Sequence, residues 1–307
     1  MKRIALTGGL GFIGTNLVPR LRDEFGADIR ILDNLSNPSG DLEVGDGIEL
    51  LEGDIRDRSA VDRLVGGADA VIHLAAHTRV VESVEDPVGN YEINVQGTFN
   101  VLEAMRQSGC GTIVYASTGG AILGEVPPPI HEEIAAKPAS PYGASKLMGE
   151  GYCWAYAQSY GFHALSLRFS NIYGPHCRRK DSVVAAFIKQ IVKSGKVTVY
   201  GDGEQVRDYL FVGDLVGGII SAIKSQRQGV YQLGSGRPTS VNELIGILKE
   251  SIPRPFTVQY ADPRAGEIRR TYCDITKAAR DLDFRPKVPL RDGVRQTWEW
   301  FQDSSLV

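Results

Sequence analysis

With 307 residues, 42% hydrophobic and 23% charged, the chain has the composition of an ordinary globule and the length for one large domain or two modest ones. A net charge of -3 and a pI near 6.0 exclude a general attraction to nucleic acid or to an anionic membrane surface, so any anionic ligand must be held by local groups. The opening MKRIALTGG lacks the apolar stretch of a signal peptide, no apolar run approaches membrane-spanning length, and Cys110, Cys153, Cys177 and Cys273 form neither a CxxC pair nor a zinc pattern, so a cytoplasmic protein without metal is expected.

In chain order, KRIALT at 2–7 reads as a buried strand, GGLGFIGTNLVPRL as glycines leading into a helix of apolar period, and DIRILD at 28–33 as a second strand, together a β-α-β unit. Gly8, Gly11 and Gly14 form a GxxGxxG pattern, in which glycine permits a tight turn, close approach of backbone to a diphosphate and close packing of helix on strand. The helix start adds unpaired N–H groups and a partial positive charge. Asp33 falls at the end of the second strand, where an acid can bond both hydroxyls of an adenosine ribose and repel a 2′-phosphate, favouring NAD over NADP.

IELLEGDIRD ends a further strand at Asp54 and Ile55, placed for an adenine edge. DAVIHLAAHT is a buried strand that stops at the small pair Ala75 and Ala76, with His73 inside it as a core histidine. GTIVYASTGG is another, ending in Ser117 and Thr118. With SAVDRLV and NVQGTFNVLEAMRQS as intervening helices, the pattern predicts an α/β fold: a Rossmann-type, doubly wound parallel sheet whose ligand crevice lies at the carboxyl ends of its strands.

PYGASK then sets Tyr142 and Lys146 four positions apart at the start of the helix SPYGASKLMGEGYCWAYAQSY. The spacing makes them neighbours on one face and leaves open whether they are an acid/base pair or merely share that face. The sheet domain is expected over residues 1–168 and a smaller mixed α/β domain over 169–307. RDYLFVGDLVGGIISAIK, residues 207–224, is expected to return to the first domain as strand and helix, the returning region being roughly 207–232. LRDGVRQTWEWFQD reads as a closing amphipathic helix.

The motifs TGGLGFIG, DNLS, GDIRD, HLAA, NVQGT, STGG, PYGASK, RFSNIYGP, VYGDG, RDYLFVGDL and GEIRRTYCDITKA, in this order over nearly the whole chain, resemble the extended short-chain dehydrogenase/reductases, specifically the NAD-dependent nucleotide-sugar epimerases and dehydratases of the UDP-sugar 4-epimerase type. The resemblance implies Tyr142 as catalytic acid/base, Lys146 as its partner and Thr118 as the hydroxyl that bonds the reacting sugar oxygen. It implies an NAD site at Gly8, Gly11, Phe12, Ile13, Asp33, Asn34, Asp54, Ile55, Leu74, Ala75, Ala76 and Asn94, with Tyr142 and Lys146. It further implies a UDP-sugar site at Thr78, Thr118, Asn171, Val184, Val199, Tyr200, Arg207 and Arg264, and a homodimer through the Tyr142 helix. A useful base near neutrality requires the tyrosine to fall roughly three pKa units, about 4 kcal/mol of phenolate stabilisation, which a lysine one turn away and a positive nicotinamide could supply. Arg207 and Arg264 suit a diphosphate because the guanidinium stays charged and bonds phosphate bidentately.

Thr271, seven after Arg264, stands where some relatives carry a large aromatic, which suggests room for a 2-acetamido group and makes UDP-N-acetylglucosamine a candidate beside UDP-glucose. Gly119 and Gly120 follow Thr118 where 4,6-dehydratases of the family carry Asp and Glu, favouring epimerisation. After Ala76 the chain departs from its relatives with His77, Thr78, Arg79 and, further on, Glu82; these read as solvated loop residues, although a histidine or glutamate there would suit an atypical elimination. Glu150 reads as an exposed helix residue. A nucleotide-sugar dehydratase is thus the alternative enzyme, and a redox-sensing binding protein the alternative outside catalysis.

Overall fold

The computed structural model describes residues 1–39, 42–263 and 268–303. Seven strands, β1 (Arg3–Thr7), β2 (Asp28–Asp33), β3 (Ile48–Glu52), β4 (Ala70–His73), β5 (Thr112–Thr118), β6 (His163–Phe169) and β10 (Gly229–Leu233), form one sheet in the order β10-β6-β5-β4-β1-β2-β3. Every neighbouring pair is parallel. Parallel strands buried on both faces need near-continuous apolar sequence, and β1 and β4 supply it. Alternate side chains of β1 enter different cores: Ile4 and Leu6 pack with the helices Phe12–Phe25 and Val212–Ser225, and Ala5 with Arg58–Val65, Gly97–Ser108 and Pro141–Tyr160.

The order reverses between β1 and β4, so the helices following these strands diverge and leave a crevice at their carboxyl ends, the usual ligand position in such a sheet. A second lobe contains β7 (Asn171–Tyr173), β9 (Val206–Phe211) and β11 (Pro238–Ser240) as one small sheet, and β8 (Lys196–Tyr200) paired with β12 (Thr257–Ala261). Here the returning segment differs from the sequence expectation. β9 stays in the small sheet beside β7 and β11, and it is the following helix and β10 that rejoin the large one. The motif RDYLF reads as a strand from its apolar run, but such a run does not say which sheet it joins. The closing helix runs Leu290–Asp303 and buries Val294, Trp298 and Phe301.

Candidate active site

At the end of β1 the chain turns through Gly8 at φ +68, and a Cβ at that position would lie 2.7 Å from the Ala75 amide nitrogen. Glycine is required there twice, for the left-handed turn and for the close approach of the segments following β1 and β4. A Cβ on Gly14 would fall 2.3 Å from the Gly9 carbonyl oxygen. The helix Phe12–Phe25 starts from Gly11 with no side chain capping its first N–H groups, which leaves them directed at the crevice for an anion.

Asp33 is 8% exposed; its Oδ2 accepts from Leu10 N and its Oδ1 from Leu35 N, both at 2.9 Å, which fixes the carboxylate against the glycine turn. Asp54 is gripped by Arg56 through Nε and Nη2 and by Asn34 Nδ2, and these bonds, Arg56 first, hold its carboxyl down at about 2. A cleft of about 450 Å³ opens here, lined by Gly8, Gly11, Phe12, Ile13, Asp33, Asn34, Asp54, Ile55, Leu74, Ala75, Ala76 and Thr78. An uncapped helix start, a glycine cradle with no room for a Cβ and an acid at the end of the second strand fit an adenine dinucleotide with free ribose hydroxyls.

Tyr142 lies in the first turn of the helix Pro141–Tyr160, which Ser140 caps by accepting from Gly143 N. Its own N–H donates to Ser83 Oγ at 3.1 Å, and its phenol lies close enough to the Thr118 side chain to be influenced by it. Thr118 ends β5, so strand and helix bring the two hydroxyls together. Burial pushes the phenol up to about 12, with Thr118 opposing. Lys146 is 3% exposed; its ammonium donates to Ala116 O at 2.9 Å and lies 5.0 Å from the centre of the Tyr115 ring, and burial brings it down to about 8. The protein's own groups therefore hold Tyr142 as a neutral phenol, and the lowering expected from Lys146 is not met by these groups alone. Asn94, in the wide helical turn Glu92–Gln96, bonds His77 N with Oδ1 and His77 O and Ser145 Oγ with Nδ2, tying the cleft wall to the Tyr142 helix.

Glu150 is a correction. Far from exposed, it is 6% accessible; Arg168 Nε and Nη2 donate to its two oxygens at 2.8 and 2.7 Å, and Ser117 Oγ donates to Oε1 at 2.6 Å. The charged fork bonds Ser117, the neighbour of Thr118 in β5, and its Glu150, one turn past Lys146, helps keep that ammonium charged. A signal existed in SLRFS: an arginine inside a buried strand needs a buried anion, and Glu150 was the nearest helix carboxylate in sequence.

His77, Thr78, Arg79 and Glu82 are also not simply solvated. All four line the cleft, His77 Nε2 lies 2.7 Å from Glu82 Oε2, and Arg79 pairs with Glu82 and Asp181 at 2.5 and 2.8 Å. His176, which the sequence offers beside Cys177 without a metal-ligand spacing, also lines it, as do Arg179 and Lys180, which sequence reading did not single out. His73 is the satisfied core histidine expected, between Thr7 Oγ1 at 2.6 Å and Thr98 Oγ1 at 2.9 Å, with burial holding its pKa down at about 3.

The expected sugar-nucleotide residues are less closely gathered. Val184 and Val199 are 1% exposed within the core and offer a ligand no side-chain surface, whereas Tyr200 is 37% exposed. Asn171 Nδ2 donates to Asp208 O and Arg207 Nη1 to Val206 O. Thr271 lies across from Gly120, whose added Cβ would be 3.6 Å from Thr271 Oγ1. Arg264 lies outside the described residues. Among the described residues no cluster of three His, Cys, Asp or Glu could hold a metal, and no helix is long and apolar enough to cross a membrane.

Comparison with known proteins agrees with this geometry. The model of the NAD dependent epimerase/dehydratase family matches residues 4–234. The UDP-glucose 4-epimerase of Mycolicibacterium smegmatis is 34% identical over 99% of each chain. The structure of a Thermus thermophilus UDP-glucose 4-epimerase in complex with NAD superposes with a TM-score of 0.90 at 37% identity, covering 98% of this chain and 99% of that one. That of a UDP-N-acetylglucosamine 4-epimerase from Methanobrevibacter ruminantium, in complex with UDP-N-acetylmuramic acid, gives 0.92 at 29% identity, with 98% of each chain covered. The chain belongs to the NAD dependent epimerase/dehydratase family, is an enzyme of nucleotide sugars, and uses NAD as its cofactor.

Proposed function

We propose that the protein is a 4-epimerase of a UDP-hexose, with Tyr142, Thr118 and Lys146 as its reacting groups. Bound NAD+ supplies a hydride acceptor and, once reduced, a hydride donor. Tyr142 Oη takes the proton of the sugar 4-hydroxyl while C4 loses hydride; the resulting 4-keto sugar turns over in the site, and Tyr142 returns its proton as hydride comes back to the opposite face of C4. Thr118 holds the reacting oxygen, and Lys146 steadies the phenolate.

The observation that carries epimerisation is the packing at Gly119. Glycine there carries no acid that could drive elimination, and a Cβ in its place would meet the ends of the Gln232 and Ile130 side chains at 2.8 and 3.2 Å. Gly120, facing Thr271, presents no side chain either. One feature favours a second reading: the His77–Glu82 pair lining the cleft could remove a proton from C5, which would make the enzyme a dehydratase.

A threonine rather than a large aromatic at position 271 supports room for a 2-acetamido group, so UDP-N-acetylglucosamine is proposed beside UDP-glucose. Proton NMR of each, incubated with protein and NAD, is expected to develop the anomeric signal of the C4 epimer for at least one. Failure with both would overturn the proposed substrates.

We also propose a homodimer through the helices Gly97–Ser108 and Pro141–Tyr160, whose Phe99, Met148, Tyr152 and Tyr160 are 40–54% exposed. Contiguous exposed aromatics of this kind mark an association surface. Light scattering should give twice 33.4 kDa, and Tyr152→Asp should halve it; a monomeric wild type would contradict the dimer.

A further inference from the structure

The cations lining the cleft differ in how they are used. Arg79 is neutralised by Glu82 and Asp181, His77 bonds Glu82, and Arg179 is exposed. Lys180 is half-buried, lines the cleft, and donates its ammonium to none of the described residues.

Its position is nevertheless built. Asn16, one turn into the helix Phe12–Phe25, donates through Nδ2 to Phe12 O at 2.8 Å and to Pro175 O at 3.1 Å, so the segment that follows Pro175 crosses over the start of that helix. Lys180 N donates to Cys177 O at 2.8 Å, and Lys189 Nζ donates to Lys180 O at 2.7 Å. The next residue, Asp181, is held on two sides, by Lys189 Nζ at 3.0 Å and Arg79 Nη2 at 2.8 Å. Backbone and neighbours are fixed, and the charge is left unspent.

We propose that Lys180 is the cation that neutralises the cofactor's diphosphate over the uncapped start of the first helix. A helix start contributes only about half a positive charge, whereas a diphosphate carries two negative ones. Charge remains to be balanced opposite, and an ammonium carried on a fixed backbone segment at the cleft wall can balance it. Burial works most strongly against Lys180's charge, Cys177 and Asp181 partly offset it and Arg79 adds a smaller opposing push; a bound diphosphate would favour the charged form. The proposal rests on NAD being the cofactor.

Binding, rather than turnover, tests it. By calorimetry, Lys180→Met should weaken NAD and ADP-ribose alike, by about 10- to 100-fold. Lys180→Arg should recover most of that loss, and adenosine, which has no phosphate, should bind all three proteins equally. The Met variant without ligand should melt at the wild-type temperature or above, since a partly buried charge has been removed. Unchanged NAD affinity, or a loss confined to UDP and UDP-sugars, would overturn the proposal. A wild-type protein that failed to bind NAD would contradict the cofactor assignment and the proposal with it.

Discussion

Tyr142→Phe is expected to lower kcat by roughly 10³-fold, within the 10²- to 10⁴-fold span of a positioned acid/base group, while leaving NAD affinity within a few-fold of wild type. The phenol is half-buried against Thr118 and raised to about 12 by its surroundings, so the ring can be kept and only the proton carrier removed. The same geometry makes a spectroscopic prediction. With no cofactor bound, the phenol should ionise above the ordinary tyrosine range; with NAD+ bound, the positive ring should draw it downward, and the phenolate band should appear at lower pH in wild type but not in Tyr142→Phe. A variant with unchanged turnover would remove Tyr142 from the chemistry.

The second large effect is on stability. Glu150→Ala is expected to cost about 3–5 kcal/mol, because it strands Arg168, 4% exposed, without its anion and leaves Ser117 without its acceptor. Replacing both partners together, Glu150→Leu with Arg168→Met, should recover much of the loss, since a buried ion pair contributes little net stability against an apolar pair of similar volume. Thermal unfolding of the single and double variants reads this directly. A single variant that melts like wild type would show that the fork is solvated in solution. The double variant should still show a reduced kcat, because Lys146 loses the nearby Glu150 charge that favours its ammonium.

How much of this was legible beforehand follows from which physics is local. The sheet, the glycine turn and Asp33 were readable because strand periodicity, left-handed glycine positions and an acid at a strand end are written within some thirty residues. Asn94 and the Thr118–Tyr142 contact came from resemblance, since no local rule brings the end of one strand to the first turn of a later helix. The buried state of Glu150 was missed because helix spacing was read without asking what Arg168 would need. The lowering of Tyr142 was expected from Lys146 and a positive nicotinamide together; burial alone raises the phenol, and the Lys146 ammonium also donates to the Ala116 carbonyl. Lys180 sits in HCRRKD, a basic run of the kind that is usually a solvated face, and only the segment's passage over the first helix separates it from its neighbours.

The most direct test of 4-epimerisation is proton NMR of UDP-glucose and UDP-N-acetylglucosamine turned over in heavy water. The chemistry proposed for Tyr142 moves a proton on oxygen and a hydride on C4 alone, so the product should be the C4 epimer with C5 still carrying protium and C6 still a hydroxymethyl group. Deuterium at C5, or a C6 signal converted to a methyl or vinylic one, would contradict it and assign the His77–Glu82 pair to elimination.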